Sequence, residues 1–360
     1  MAAASLLGVV GLSCSVVAEA AGAPRPVRHR RATTSSLLAR LYRQAVAAGQ
    51  DSVVVYGPSA ISDGPLYAAF EKAFPKIKVT GVPVLGPAMT AKLSAEFASG
   101  KHVADIAETG DTDMLTYARS GWLTAYTPAD MPARSQLPPV ETGPGGTFFA
   151  LYNAVFVLFY NTSSVPASAV PTTWQQLLVA RWKGRLVMYD PTTVGPMADV
   201  FAHLDAMPGY ASIMAGLHRQ GVELNPMSNI TGPVTDVATG AKAIAVEVPF
   251  SYYAAVKKAG APVGVALLKA GNYNVTQYTG IVKGAPDPLA AKLFETYELT
   301  PAAARLYATE GEVSVIPNAP SPVGLPPYRS IHVMTPILSI SRQVALDNAA
   351  IKRAQAIWGS

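Results

Sequence analysis

Only one cysteine, Cys14, occurs in the 360 residues, so no intramolecular disulfide can form and stability must come from a buried core. Charged side chains make up 14% of the chain and aromatic ones 8%, while half of the composition is hydrophobic. That is a globular composition, without the charge excess of a disordered chain or the glycine period of a fibre. The length is ample for two packed domains. The formal charge of +5 is confined to one end. Arg25, Arg28, Arg30, Arg31, Arg40 and Arg43 fall in residues 1–50 with a single acid, Glu19, and residues 51–360 hold 22 basic and 22 acidic side chains. A neutral body argues against nucleic-acid binding. Catalytic motifs are missing too: there is no G-x-S-x-G, no H-E-x-x-H, no P-loop and no G-x-G-x-x-G after a strand. Gly143-Pro144-Gly145-Gly146 lies in a loop with no helix behind it. His29, His102, His203, His218 and His332 show no metal-ligand spacing, and no internal repeat is evident.

What is present begins with an apolar run over 2–17, followed by the small residues Ala18-Glu19-Ala20-Ala21-Gly22-Ala23, which resemble an export cleavage site. Residues 1–23 are therefore expected to be an export signal. The alternative, a spanning anchor, needs about twenty apolar residues, and this run falls short. Cys14 either carries a lipid or is an inert thiol in a discarded leader. Residues 24–50 read as a basic linker and a first helix over 36–48.

Beyond the linker, strands are expected over 51–56, 76–82 and 103–107, and helices over 65–74, 87–99 and 111–120. This βαβαβα order is the mark of a mostly parallel sheet covered by helices. After a Pro/Gly-rich loop over 128–146 comes a strongly apolar strand over 148–160. A second α/β unit follows, with helices over 172–180, 196–207, 210–220 and 231–239 and a strand over 184–189. An extended run over 273–283, helices over 287–297 and 301–309, a Pro-rich crossing over 317–328 and a closing helix over 341–358 complete the chain. The expected division is 50–152 plus 272–325 in one lobe and 153–271 plus 326–360 in the other.

Residues 240–260 stand out. Ala243 to Val248 reads as a buried strand, Pro249 ends it, and a helix follows with Lys257 and Lys258 in its last turn and Gly260 behind it. Tyr252 and Tyr253 therefore fall at a strand-to-helix corner, where both phenols can lean toward one opening beside free helix N–H groups. They are either ligand contacts or half-buried packing residues.

The order of short motifs resembles the solute-binding proteins of ABC importers, in the group that includes ferric-iron, thiamine and phosphonate binders. Val53-Val54-Val55-Tyr56 is similar to the first strand of that group, and Pro65 to Pro75 to its F-x-x-x-x-P helix. Ala104-Asp105-Ile106, Gly121-Trp122-Leu123 and Phe159-Tyr160-Asn161-Thr162 resemble later family segments. So do Trp174-Gln175-Gln176-Leu177, Trp182-Lys183-Gly184-Arg185, and the 240–245 strand with its tyrosine pair. The resemblance implies a two-lobed, type II periplasmic-binding-protein-like α/β fold with ligand in a cleft between lobes. It also implies an exported monomer, periplasmic or at the cell surface, that serves a membrane permease without nucleic acid and without catalysis.

The resemblance further implies Fe3+ as the leading ligand, held through Tyr252 and Tyr253 with a synergistic anion. Phenolate is stabilised by a bound cation. Two expected ligand positions read Ala60 and Gly110 instead, although Glu108, Asp111 and Asp113 lie nearby. Ser59, Thr109, Thr192, Thr193, Gly195 and Asn229 are the further ligand-binding candidates, the last four as anion contacts or as ordinary caps and turns. Glu247 is expected to be buried and paired. A small organic solute of the phosphonate, thiamine or polyamine class is the alternative ligand. A ligand-sensing domain and an enzyme on the same fold are the remaining alternatives.

Overall fold

A computed structural model describes residues 34–58, 64–84, 86–126, 137, 142–334 and 340–359. The expected export signal over 1–23, Cys14, Ser59 and Ala60 lie outside these residues. Helix Thr34–Ala47 (α1) spaces Leu37, Leu41 and Ala45 along one stripe, and all three are buried. Strand Ser52–Gly57 (β1) follows, with the period of two that a doubly covered strand requires. Val53 and Val55 enter a core shared with α1, whereas Val54 and Tyr56 enter the core on the opposite face. Helix Gly64–Ala73 (α2) leads to edge strand Lys78–Pro83 (β2), parallel to β1. Helix Gly86–Ser99 (α3) returns to strand Ile106–Thr109 (β3) on the other side of β1. β3 begins later than the sequence pattern suggests. Glu96 Oε2 accepts hydrogen bonds from the Val103 and Ala104 amides at 2.9 and 3.2 Å, which holds that stretch as a loop. Helix Asp111–Arg119 (α4) follows β3 directly.

The 13-residue strand Phe149–Asn161 (β4) is buried almost throughout, which is why its sequence is a continuous apolar run. Residues 149–155 pair antiparallel with strand Asn274–Ile281 (β9). Residues 156–161 pair instead with Ile244–Pro249 (β7) and Val263–Ala266 (β8), and Val313–Ser314 (β10) adds to the first half. Strand Leu186–Tyr189 (β5) lies parallel to β7 on one side and to Glu223–Asn225 (β6) on the other. The resulting order is β2-β1-β3-β9-β4-β7-β5-β6, parallel toward both ends and antiparallel in the middle.

Helices Pro196–Asp205 (α5), Ile213–Arg219 (α6), Gly232–Thr239 (α7) and Phe250–Lys258 (α8) belong to the β5–β7 half. Pro288–Glu298 (α9) packs on α1, and Pro301–Glu310 (α10) on α2. The closing helix Ile340–Trp358 (α11) crosses back to α5 and α6, where Arg353 pairs with Asp205 and Gln355 Nε2 donates to the Thr192 carbonyl at 3.0 Å. Residues 172–180 do not form the expected α-helix. Short 3₁₀ turns, Trp174–Leu178 and Ala180–Trp182, replace it, broken by extended Val179. The Thr172 amide donates to Gln176 Oε1 (2.7 Å) and Gln176 N to Thr173 Oγ1 (3.3 Å), and this closes a single turn that buries Trp174. The short strands β6, β8 and β10 are additions to the expected set.

Candidate functional site

The carboxyl ends of β3, β5, β6 and β7 open on one region, and each leads toward a helix N-terminus there. At the β7–α8 corner, Pro249 ends the ladder and Phe250 is fully buried, which orients the first turn of α8. Just upstream the ladder is irregular, and Glu247 adopts a left-handed φ of 50°. Its side chain is fully buried. Oε2 accepts from the Tyr273 amide at 2.9 Å, Oε1 has no partner, and burial pushes the carboxyl up to about 8. A non-glycine residue in this region costs on the order of 1–2 kcal/mol, so the surrounding packing imposes it.

A cavity of about 180 Å³ lies at these strand ends. Pro58 and Thr109 line it from the β1–β3 side, and Val275 and Gln277 from β9. Tyr152, Ala154 and Phe156 project from the middle of β4. Tyr189, Pro196, Met227 and Ile230 close the opposite wall, and Pro249, Ser251 and Tyr252 the β7–α8 corner. Glu312, between α10 and β10, completes the lining. No Lys, Arg or His is among these residues.

Glu312 is the one carboxyl in this lining. Its amide donates to the Tyr307 carbonyl at 2.8 Å, its carboxylate is hydrogen-bonded by Ser251, and its Oε2 is buried without a partner. Burial outweighs the Ser251 bond and pushes the carboxyl up to about 8. Gly311 has φ of 92°, and a Cβ there would lie 2.6 Å from Ser251 Cα, so only glycine lets α10 end this close to α8. Burial, with Glu312 adding, pushes the Tyr252 phenol up to about 12. The Tyr189 hydroxyl donates to the Ile230 carbonyl at 2.7 Å, and burial holds this phenol well above its ordinary range.

Of the residues singled out in the sequence, Tyr252 and Thr109 line the cavity. Tyr253 stacks toward Phe250 and Phe159, with ring centroids 5.2 and 6.0 Å away, and is not part of the lining. The Thr192 amide and hydroxyl both bond Asp190 Oδ1, at 2.8 and 2.7 Å, while Thr193 is exposed. Gly195 sits against Met227, and the Asn229 carbonyl accepts from Asn225 Nδ2 at 2.6 Å. These four residues shape the loops from which their neighbours Pro196, Met227 and Ile230 reach the cavity. Gly110 offers no side chain, Glu108 is buried against Gly57, and Asp111 Oδ1 accepts from the Thr112 amide at 2.7 Å. Among the described residues, no group of three or more His, Cys, Asp and Glu could hold a metal ion. Sequence reasoning missed Glu312, Tyr189, Tyr152 and Ser251. The one available signal was an acid opening the apolar run Val313-Ser314-Val315-Ile316.

A family model described as bacterial extracellular solute-binding protein matches residues 66–326. The chain belongs to that family. Among solved structures, this solute-binding protein is similar to iron-bound HitA from Pseudomonas aeruginosa, at 16% identity and a TM-score of 0.68 over 85% of this chain and 99% of that one. It is similar to the same extent to periplasmic AfuA from Actinobacillus pleuropneumoniae with fructose-6-phosphate bound (18%, TM-score 0.69, 85% and 99%). The Trichodesmium protein IdiA, or FutA, in complex with iron and citrate also matches (22%, TM-score 0.63, 85% and 99%). Comparison with curated proteins gave no match. The fold is the type II periplasmic-binding-protein fold. Membership of that family makes the chain an extracellular receptor for a small solute rather than an enzyme. No helix among the described residues is long and apolar enough to cross a membrane.

Proposed function

We propose that this solute-binding protein captures a small positively charged ligand in the cavity between Thr109 and Tyr252. The observation that carries this reading is Glu312, a buried acid with one unpartnered carboxyl oxygen, in the described lining of a cavity that holds no cationic side chain. The two halves, 50–152 plus 272–325 and 153–271 plus 326–360, close on the ligand. Closure is favoured only by the ligand's differential affinity for the closed state. Residues 1–23 direct export, Cys14 is the single residue able to take a lipid anchor, and the receptor acts as a monomer.

Fe3+ with a synergistic anion is the specific form of this reading favoured by the iron-bound relatives HitA and IdiA. Tyr252 and Glu312 would supply the protein oxygens, with Tyr253 reaching the ion only if its ring leaves Phe250 and Phe159. The helix N-termini at Gly110, Gly195, Thr231 and Pro249 suit the accompanying anion. Metal analysis and a visible spectrum of protein purified without chelator test it. Stoichiometric iron with a phenolate charge-transfer band that disappears in Tyr252→Phe supports iron, and colourless, iron-free protein excludes it. Size-exclusion chromatography with small-angle scattering should show a monomer that contracts on adding the co-purifying ligand.

A further inference from the structure

We propose that the ligand is an organic ammonium ion, a protonated primary or secondary amine on an apolar body, whose N–H is donated to the Glu312 carboxyl beside the aromatic residues that line the cavity. The inference rests on the reading of this cavity as the site of a cationic ligand, and it names an organic cation in place of Fe3+.

Glu312 is 5% exposed, its Oε2 is buried without a partner, and the residue lines the cavity. A buried acceptor left unpaired destabilises the fold, so a donor that reaches it recovers that cost. The four rings of Tyr152, Phe156, Tyr189 and Tyr252 share the lining with it. Their faces attract a cation and their carbon surface an apolar body. The cavity of about 180 Å³ accommodates at least ~6 water-sized groups at ~30 Å³ each, far more than a bare ion needs.

Other chemistries fit less well. A phosphate ester would bring negative charge to a buried carboxyl with no Lys, Arg or His in the described lining. A neutral polyol would need many partners, and most of the lining is apolar or aromatic. A quaternary ammonium ion would satisfy the rings but has no N–H for Oε2.

Protons balance simply. Burial pushes the Glu312 carboxyl up to about 8, which favours its protonated form at neutral pH before a cation binds. Binding of R–NH3+ ionises it, and one proton passes to solvent. The polar side chains that line the cavity with the carboxyl are Ser251 and Tyr252 of α8, Tyr152 of β4, Tyr189 of β5, Thr109 of β3 and Gln277 of β9, whose buried Oε1 also has no partner but carries no charge to balance a cation. Glu310 and Lys258, at the α10–α8 surface, act on each other. Affinity for the amine therefore rises as pH approaches 8.

The test uses the full mature chain, with melting and titration calorimetry against a panel of probes. The amines are phenethylamine, N-methylphenethylamine and 1,5-diaminopentane. The contrasting probes are tetramethylammonium, fructose 6-phosphate and ferric citrate. The expected result is that at least one amine raises the melting temperature and releases close to one proton per site at pH 7, with tetramethylammonium at least ~10-fold weaker. Glu312→Gln, isosteric with the protonated carboxyl, should keep the wild-type melting temperature without ligand and lose roughly 30-fold or more in amine affinity. Should it misfold, the pH dependence of amine affinity in the unsubstituted protein is the second measurement: affinity should rise between pH 6 and pH 8, and affinity independent of pH overturns the inference. Failure of every amine to bind, or equal binding by Glu312→Gln, overturns the inference. Binding of ferric citrate or fructose 6-phosphate alone, weakened by Tyr252→Phe, also overturns it while leaving the cavity as the ligand site. A ligand unaffected by Tyr252→Phe sinks the cavity reading itself.

Discussion

The β3–α4 and β7–α8 corners bring a helix N-terminus to the same cavity with opposite chemistry. The first is polar and already satisfied by its own groups. Thr109 Oγ1 donates to Asp113 Oδ2 at 3.1 Å, and Asp111 Oδ1 accepts from the Thr112 amide and hydroxyl. The second is apolar and aromatic, with Pro249 and Phe250 leading into Ser251 and Tyr252, and its one carboxyl neighbour keeps an oxygen without a partner. The count of polar residues at a corner thus says little about where a ligand gains free energy. What matters is the buried group whose hydrogen bonding the fold leaves incomplete.

The two corners differ most in what they tolerate at glycine. Gly311→Ala would set a Cβ 2.6 Å from Ser251 Cα in a left-handed backbone, displacing both Glu312 and α8. Strain of about 1–2 kcal/mol and overpacking of about 1–3 kcal/mol should lower the melting temperature by roughly 5–10 °C and abolish ligand binding. Gly110→Ala, with φ of −67° and nothing near the added Cβ, should melt within about 1 °C of wild type. Calorimetric melting of both variants decides this, and equal losses would remove the asymmetry.

Glu247, on the strand feeding the second corner, is expected to give the next largest effect. Its folded carboxyl is raised to about 8 from 4.5, so its contribution to stability is full below about pH 4.5 and is lost as pH rises toward 8. Glu247→Gln cannot ionise. The melting temperature of Glu247→Gln minus that of wild type should therefore grow between pH 5 and pH 8. A difference independent of pH would mean the carboxyl is not held protonated by burial.

These corners also show why part of the molecule was legible in the sequence. β4 declared itself because a strand covered on both faces must be apolar throughout, and the β7–α8 junction because Pro249 can only end a ladder. Tyr252 followed from that junction. Its separation from Tyr253 did not, since adjacent helical residues diverge by about 100° and only the rings of Phe250 and Phe159 decide which one turns inward. Glu312 was hidden for another reason. It approaches Tyr252 across 60 residues of chain through the Gly311–Ser251 contact, and no local period encodes such a contact. The 172–180 segment misled because its helical spacing is real, but the side-chain bonds of Thr173 and Gln176 close one turn and release the chain at Val179.

Within the second corner, the two adjacent tyrosines should differ in binding. Tyr252→Phe keeps the ring and removes a hydroxyl beside Glu312, so affinity should fall by about 1–3 kcal/mol, read by titration calorimetry. Tyr253→Phe retains its packing on Phe250 and Phe159 and should bind within ~2-fold of wild type. A larger loss in Tyr253→Phe would restore the pair as joint ligand contacts.

The smallest expected effect lies at the first corner. Thr109→Val preserves shape and removes only the hydroxyl that donates to Asp113 Oδ2. Burial already holds the Asp113 carboxyl above its ordinary range, and the Thr109 bond opposes that shift, so the variant should raise the carboxyl further. The lost bond should cost about 0.5–1.5 kcal/mol of stability, seen in denaturant melts. Affinity should change by less than ~3-fold, because the hydroxyl is committed within its own corner before any ligand arrives. If Thr109→Val weakens binding as much as Tyr252→Phe does, the Asp113 carboxyl is recruited to the ligand when the halves close. Both corners would then contribute equally, and the incomplete hydrogen bonding at Glu312 would no longer single out the second.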